Sequence, residues 1–181
     1  MKRYAILLRG VNVGGKNRLP MASLKKCLEK LGFLNVSTYI ASGNVIVESD
    51  KSAGEIKTQI EKVLPKEFTL DSELIKVLVL SRDQFRLVVD RKPKGFGDDP
   101  HTYHSDAIFL IGVDAVQVMP IFSPREGVDK VWPGKGVIYS QRLSRERTKS
   151  RLNRIAASPL YKSMTIRNWN TTTKLLEILE K

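Results

Sequence analysis

The order of the predicted secondary structure elements limits the fold of this chain most. Residues 4–8 form an apolar run that is too short for a helix, which predicts a buried strand. Residues 20–31 place apolar side chains at helical spacing and predict an amphipathic helix. Two β-rich runs, 36–40 and 45–48, then flank Ala41-Ser42-Gly43-Asn44, which has the composition of a hairpin connection.

A second helix and a fourth strand complete this first unit of the prediction. Ser52-Ala53-Gly54-Glu55 is a capping-box pattern that starts a helix, and Pro65 is expected to end it. Residues 74–80 predict a strand. The resulting order, β-α-β-β-α-β, is that of a ferredoxin-like sandwich.

The second half of the chain repeats this order less regularly. A capping box at 81–84 starts a linking helix, and 90–104 is predicted to be a loop. The remaining predicted elements are a strand at 106–111, a short helix at 113–119, a hairpin of 128–132 and 137–139, a helix at 148–157, a strand at 164–166 and a final helix capped by Asn170. We therefore predict an α+β protein of two ferredoxin-like α/β sandwich halves, 1–80 and 81–181, the second with a linking helix and a C-terminal helix.

Composition excludes several other classes of protein. An apolar content of 41% over 181 residues is enough for a large core, which excludes a disordered chain. The single cysteine, Cys27, excludes an internal disulfide and favours a reducing compartment, and its helical position predicts an inert core thiol. No run approaches the roughly 18 apolar residues of a membrane span, and residues 4–8 are too few for a secretory signal core. We expect a cytoplasmic protein without a membrane partner.

The segment from Arg9 to Asn17 is rich in glycine and resembles part of a phosphate-binding P-loop. Gly10, Gly15 and Lys16 have the P-loop spacing, but Asn17 stands where a magnesium-binding hydroxyl is needed. An ATPase-type site is therefore not predicted. Two alternatives stay open. Either the N–H groups of the two consecutive glycines face an anion among basic side chains, or the glycines form a solvated turn.

Two further patterns are interpreted as surface loops. Lys94-Gly95-Phe96-Gly97 copies the start of an RNA-recognition motif, but Asp98-Asp99-Pro100 follows instead of a strand. His101 and His104 lie among aspartates in a segment that has no helical spacing to direct them to one ion. No metal site and no cofactor are predicted.

The densest positive charge lies at residues 142–154. This segment holds six basic residues and one acidic residue, Glu146, in a chain whose formal net charge is +12. Because aromatic residues are absent from it, any nucleic acid would be held by its phosphates and not by its bases. The segment is a candidate polyanion-binding surface or, alternatively, a solvated helix face. Its basic residues are Arg142, Arg145, Arg147, Lys149, Arg151 and Arg154.

A polar cluster at 165–174 precedes and enters the predicted final helix. Asn170 is placed to cap this helix, and Thr171 to Thr173 would lie in its first turn, where backbone N–H groups are free. With Arg167 nearby, these residues form a second candidate anion pocket. The alternative is a set of local caps with Trp169 as a hydrophobic anchor.

Three motifs are similar to those of the bacterial family known as domain of unknown function 1697. Members open with Leu-Leu-Arg-Gly-Ile/Val-Asn-Val-Gly-Gly, as residues 7–15 do, and continue with Thr-Tyr-x-x-Ser-Gly-Asn, as at 38–44. Near the end they carry Thr-x-Arg-Asn-Trp-x-Thr, as at 165–171. Members also carry a basic lysine segment before this last motif. Lys149 is its nearest equivalent in this chain, although its spacing to the motif differs by one residue. Val47 stands where members often have an aromatic residue.

The resemblance implies two ferredoxin-like halves and a family whose activity is not established. It also implies that the polar motif residues meet in one interdomain cleft, where the leading hypothesis is binding of a phosphorylated or other anionic small ligand. The alternatives are nucleic-acid binding through 142–154 and an enzyme acting on a small phosphorylated substrate, for which no nucleophile–base pair can be placed. The predicted ligand-binding residues are Arg9, Gly10, Asn12, Gly14, Gly15, Lys16, Ser42, Gly43, Asn44, Lys149, Arg167, Asn168, Trp169 and Thr171.

Overall fold

The strands and helices follow the predicted order along the chain, except at the helix predicted for residues 148–157. The computed structural model describes residues 1–71 and 75–181, so residue 74, the predicted start of the fourth strand, lies outside the described residues. The strands are β1 (Lys2–Arg9), β2 (Leu34–Tyr39), β3 (Asn44–Ser49), β4 (Lys76–Ser81), β5 (Tyr103–Leu110), β6 (Asp129–Gly134), β7 (Val137–Leu143) and β8 (Met164–Asn168). The α-helices are α1 (Met21–Lys30), α2 (Ala53–Glu67), α3 (Arg82–Asp90), α4 (Ala115–Val118) and α5 (Trp169–Glu180).

Within the described residues, the strands form two four-stranded antiparallel sheets. The first has the order β2-β3-β1-β4 and the second has the order β6-β7-β5-β8. In the first sheet β3 lies between β1 and β2, which is the split β-α-β arrangement of the ferredoxin-like sandwich. The second sheet repeats that order, with β7 between β5 and β6. The predicted α+β fold of two ferredoxin-like halves is confirmed.

The core of the first sheet lies on the face that α1 and α2 cover. Ile6 and Leu8 point to this face because alternate residues of a strand share one side, and both are buried. The predicted capping box starts α2, since the Ser52 hydroxyl accepts the Glu55 N–H and the Glu55 carboxylate accepts the Ser52 N–H. The predicted stop at Pro65 is wrong, because α2 continues to Glu67. In the last helical turn, a proline removes only one hydrogen bond.

The core of the second sheet is covered by short helical segments. Ile108, Ile138 and Met164 pack against Val118 and other buried residues of this cluster. The single helix predicted at 148–157 is wrong, because 3-10 helices occupy Ser144–Lys149, Leu152–Ala157 and Pro159–Ser163. The predicted loop before β5 adds a core residue on the other face of this sheet. Phe96 is fully buried there, and its ring makes edge contacts with Trp132, Tyr139 and Trp169.

The chain divides into two compact units, Met1–Arg86 with Leu175–Lys181, and Leu87–Lys174. These units differ from the halves predicted from the sequence in placing 81–86 and 175–181 with the first sheet. Two hydrogen bonds explain why the end of α5 belongs to the first unit. Arg3 donates to the Leu179 carbonyl at 3.1 Å, and Arg86 donates to the Glu180 carboxylate at 2.6 Å. The division into halves at residue 80 stays a prediction.

Among the described residues, no helix has both the length and the apolar character needed to cross a membrane.

Candidate functional site

The glycine-rich segment after β1 is a loop held by its own hydrogen bonds. The Asn12 N–H donates to the Asn17 carbonyl at 3.1 Å, and the Lys16 N–H donates to the Val13 carbonyl at 3.0 Å. Gly14 and Gly15 lie at the exposed tip with φ of 60° and 76°, the left-handed region that favours glycine. Nothing lies within 4 Å of a Cβ added at either position. The tip is therefore an open turn several residues before α1.

Asn12 joins this loop to the hairpin connection between β2 and β3. Its side-chain amide donates to the carbonyls of Leu19 at 2.9 Å and Ala41 at 2.7 Å. Its side-chain oxygen accepts the Leu19 N–H at 2.7 Å. The first and second sequence motifs therefore meet within the first unit, and the Asn12 side chain uses both ends of its amide to hold backbone.

Asn17, at the position of the P-loop hydroxyl, is a buried structural residue. It is 4% exposed, and its backbone N–H donates to the Asp71 carboxylate at 2.6 Å. Its side-chain oxygen accepts the Asp71 N–H at 2.8 Å, and its side-chain amide donates to the Gly10 carbonyl at 2.8 Å. Sequence reasoning missed Asp71, since no motif links residues so far apart in the chain.

The second motif packs closely on the end of β1. Asn44 is fully buried and donates to the Tyr39 carbonyl at 3.1 Å and the Ser42 hydroxyl at 2.9 Å. Gly43 has φ of 76°, and a Cβ added there would lie 2.6 Å from Val11 Cγ2. A glycine is therefore needed here for both its conformation and its size.

Because Asn12 satisfies three backbone groups, Asn12→Ala is expected to lower the free energy of unfolding by about 1–3 kcal/mol. Urea denaturation followed by circular dichroism measures this change. Asn35→Ala is the matched control, since the Asn35 side chain bonds to Glu48 at an exposed site and its loss is expected to cost under about 1 kcal/mol. Equal stabilities of the two variants would contradict the structural role of Asn12.

The third motif lies in the second unit, where Arg167 is buried in β8. Its guanidinium donates to the Thr165 hydroxyl and the Ile166 carbonyl, both at 2.9 Å. Burial lowers the pKa of Arg167 to about 10, so the side chain stays cationic at neutral pH. Arg9 and the first two motifs belong to the other unit. The predicted meeting of all three motifs in one ligand site stays a prediction.

Asn168 is the residue that caps α5. Its side-chain oxygen accepts the Thr171 N–H at 2.7 Å, and its carbonyl accepts the Thr172 hydroxyl at 3.0 Å. The prediction of Asn170 as the cap is wrong, because the helix begins at Trp169 and Asn170 already lies in its first turn. Trp169 is 7% exposed and contacts the Phe96 ring, so it also serves as the predicted hydrophobic anchor.

Most of the basic segment lies on the surface of the second unit. Arg142 is the exception, because it lies half-buried on β7, 3.7 Å from the Asp106 carboxylate. Burial raises the pKa of Asp106, and the neighbouring His104 and Arg142 oppose that rise. The exposed members of the segment are Arg145, Arg147, Lys149, Arg151 and Arg154.

The backbone under these exposed cations is fixed by buried residues. The Asp129 carboxylate accepts the Arg151 N–H at 2.8 Å and the Arg125 N–H at 3.0 Å. Leu152 and Ile155 are buried in the core of the second sheet. Lys149 lies 2.7 Å from Glu146, and this hydrogen bond lowers the pKa of Glu146. The segment is therefore an anchored backbone that presents a surplus of positive charge.

Two other sequence features have a simple structural account. His104 Nε2 lies 3.1 Å from an Asp106 carboxylate oxygen, and no group of three or more metal-ligating side chains is found in residues 1–71 and 75–181. Cys27 is buried in α1, and burial raises the pKa of its thiol, which disfavours the reactive thiolate.

The fold and the motifs define a protein of two ferredoxin-like halves. The chain belongs to the DUF1697 family, described as proteins of unknown function, whose model matches residues 1–139. Among solved structures it is similar to the conserved bacterial protein SP0830 from Streptococcus pneumoniae. The two are 28% identical, the alignment covers 98% of each chain, and the TM-score is 0.81. No curated protein matches the chain. The resemblance inferred from the three motifs is confirmed.

Proposed function

We propose that this protein binds the phosphate backbone of nucleic acid through its basic segment, residues 142–154. The observation that carries the proposal is the exposure of five cationic side chains between residues 145 and 154, with one acidic residue, Glu146, among them. Exposed cations at this density attract a polyanion because binding releases the counterions condensed on its phosphates.

The construction of the segment supports binding to phosphates and not to bases. Its backbone is held by Asp129, Leu152 and Ile155, whereas the long arginine side chains extend from the surface. No aromatic residue that could stack on a base occurs between 142 and 154. Contacts of this kind orient nucleic acid without reading its sequence.

The charge of the whole chain supports the same partner. The formal net charge is +12, and the segment contributes six of its 31 basic residues. A protein with this surplus attracts a polyanion over distances of about a Debye length, roughly 10 Å at 0.1 M salt. The segment then supplies the local contacts.

Salt dependence and sequence independence test the proposal directly. Fluorescence anisotropy with two labelled 20-base-pair duplexes of unrelated sequence is expected to give equal affinities. If three or more phosphates are contacted, the slope of log K against log salt concentration is about −3 or steeper. A flat salt dependence, a strong preference for one sequence, or no binding at 50 mM salt would overturn the proposal.

A further inference from the structure

We infer that Arg125 is a further phosphate-binding residue of this protein, and that the carboxylate of Asp129 positions it beside the basic segment. This role rests on the proposed binding of nucleic acid, and it adds to that surface a residue from another part of the chain. Arg125 is exposed in a turn before β6, outside residues 142–154, and the sequence prediction does not include it. The turn and the basic segment both belong to the second unit.

The turn that carries Arg125 is bound to the start of the basic segment through the backbone. The Arg125 carbonyl accepts the Val128 N–H at 3.0 Å and the Asp129 N–H at 2.8 Å, which closes the turn. The Val128 carbonyl accepts the Leu143 N–H at 3.0 Å. Leu143 directly precedes the 3-10 helix Ser144–Lys149, so the turn has a fixed position at one end of the exposed cations.

Asp129 makes the second connection between the turn and the basic segment. Its Oδ2 atom accepts two backbone N–H groups, that of Arg125 at 3.0 Å and that of Arg151 at 2.8 Å. Because both nitrogen atoms lie within 3.0 Å of the same oxygen, the backbones of the two arginines are held side by side.

The burial of Asp129 shows that this connection has a cost in stability. The residue is 7% exposed, and its other carboxylate oxygen, Oδ1, is buried without a hydrogen-bond partner among the described residues. An unsatisfied buried acceptor is unfavourable for folding. An apolar residue would avoid this cost but would hold neither arginine, so the carboxylate is explained by the arginine pair that it fixes.

The charge of Arg125 acts on the same surface as the basic segment. The hydrogen bond from Lys149 lowers the pKa of Glu146, and the nearby charges of Lys149, Arg145 and Arg125 lower it further. Arg125 therefore lies close enough to Glu146 for its charge to be felt there, together with two cations of the segment.

With Arg125 included, exposed cations outnumber the acidic residues of this surface by six to two. The acidic residues are Glu126, which is exposed in the turn, and Glu146. The planar guanidinium of an arginine can donate two hydrogen bonds to one phosphate, and a fixed backbone reduces the conformational freedom that the side chain loses on binding. The six exposed cations are Arg125, Arg145, Arg147, Lys149, Arg151 and Arg154.

Fluorescence anisotropy of the full-length protein with a labelled 20-base-pair duplex tests the role of Arg125. Arg125→Ala is expected to weaken binding about fivefold at 0.1 M salt and to make the slope of log K against log salt concentration less negative by about 0.9. Arg125→Lys, which keeps the charge, is expected to recover most of the lost affinity.

Lys135→Ala is the matched control, because it removes one exposed charge from the same unit. Lys135 follows the last residue of β6, roughly 20 Å along the strand from Asp129. That distance exceeds the Debye length of about 10 Å at 0.1 M salt, so the affinity is expected to change less than about twofold.

The salt slope also tests the positioning role of Asp129, because a loss of stability alone does not change the number of phosphates contacted. Asp129→Ala releases the backbones of Arg125 and Arg151 and is expected to make the slope less negative than Arg125→Ala does. Asp129→Asn keeps an oxygen that accepts both N–H groups and is expected to restore the slope. Circular dichroism verifies the fold of each free variant. Arg125→Ala alters only an exposed side chain, so it decides the inference even if Asp129→Ala does not fold.

The outcomes separate this inference from the proposed function. If the unaltered protein binds the duplex and Arg125→Ala binds as tightly as Lys135→Ala, the inference is overturned and the proposed function stands. A folded Asp129→Ala variant with the salt slope of the unaltered protein would overturn the positioning role. Absence of binding by the unaltered protein would overturn both the inference and the proposed function.

Discussion

Replacing Arg147, Arg151 and Arg154 with alanine together is expected to weaken binding of duplex DNA on the order of a hundredfold at 0.1 M salt. All three side chains are exposed, and each is expected to neutralise one phosphate. The slope of log K against log salt concentration should become less negative by about 0.9 for each lost contact, or about 2.7 in total. Fluorescence anisotropy over a series of salt concentrations measures both the affinity and the slope.

The matched control removes equal charge from the first unit. Lys26, Lys30 and Lys66 are exposed, and their joint replacement with alanine lowers the net charge by the same three units. This control is expected to change the affinity less than about threefold, since these lysines lie outside the basic segment and exposed charges that make no direct contact with the nucleic acid are largely screened. Equal losses in the two triple variants would show that binding follows net charge, and would contradict a role for the basic segment.

Replacing Phe96 with alanine is expected to destabilise the second unit by about 3–5 kcal/mol. The side chain is fully buried, and its ring centroid lies 5.9 Å from that of Trp132, 5.2 Å from Tyr139 and 5.0 Å from Trp169. Truncation would leave a cavity among three rigid rings that collapse poorly, and it would remove three edge-to-face contacts. Urea denaturation followed by tryptophan fluorescence measures the loss, because Trp132 and Trp169 both report on this cluster.

Leu87→Ala is the control for this experiment. Leu87 is 41% exposed, and its truncation is expected to cost less than about 1 kcal/mol. A loss of under about 1 kcal/mol for Phe96→Ala would show that the ring cluster does not organise this unit.

The elements that local patterns specify could be predicted from the sequence. Apolar spacing identified α1, and the capping boxes at Ser52 and Ser81 form as expected, with reciprocal bonds to Glu55 and Gln84. These signals depend on residues three or four positions apart. The order of such elements was then enough to predict both sheets.

The sequence interpretation failed where the partner of a residue is distant in the chain. Phe96 was interpreted as part of a surface loop because glycine, proline and aspartate surround it, yet three aromatic residues from later elements bury its ring. The basic segment does not form the predicted single helix, because the Arg151 N–H bonds to Asp129, a residue 22 positions earlier. An isolated aromatic residue within a polar loop is the one signal that could have identified Phe96.

The candidate sites were predictable to different degrees. The exposed cations at 145–154 follow from composition alone, since arginines without acidic partners rarely become buried. The loop contacts of Asn12 and Asn17 required the positions of Ala41 and Asp71, which no local pattern supplies.

Mapping the contact of nucleic acid on the protein tests the central claim most directly. A ¹⁵N-labelled sample titrated with a 20-base-pair duplex at 50 mM salt is expected to show its largest amide and arginine side-chain shifts at residues 144–154, reversed by 0.5 M salt. The largest shifts in the first unit, for example at the glycine-rich loop of residues 10–19, would contradict the claim, as would a spectrum that the duplex leaves unchanged.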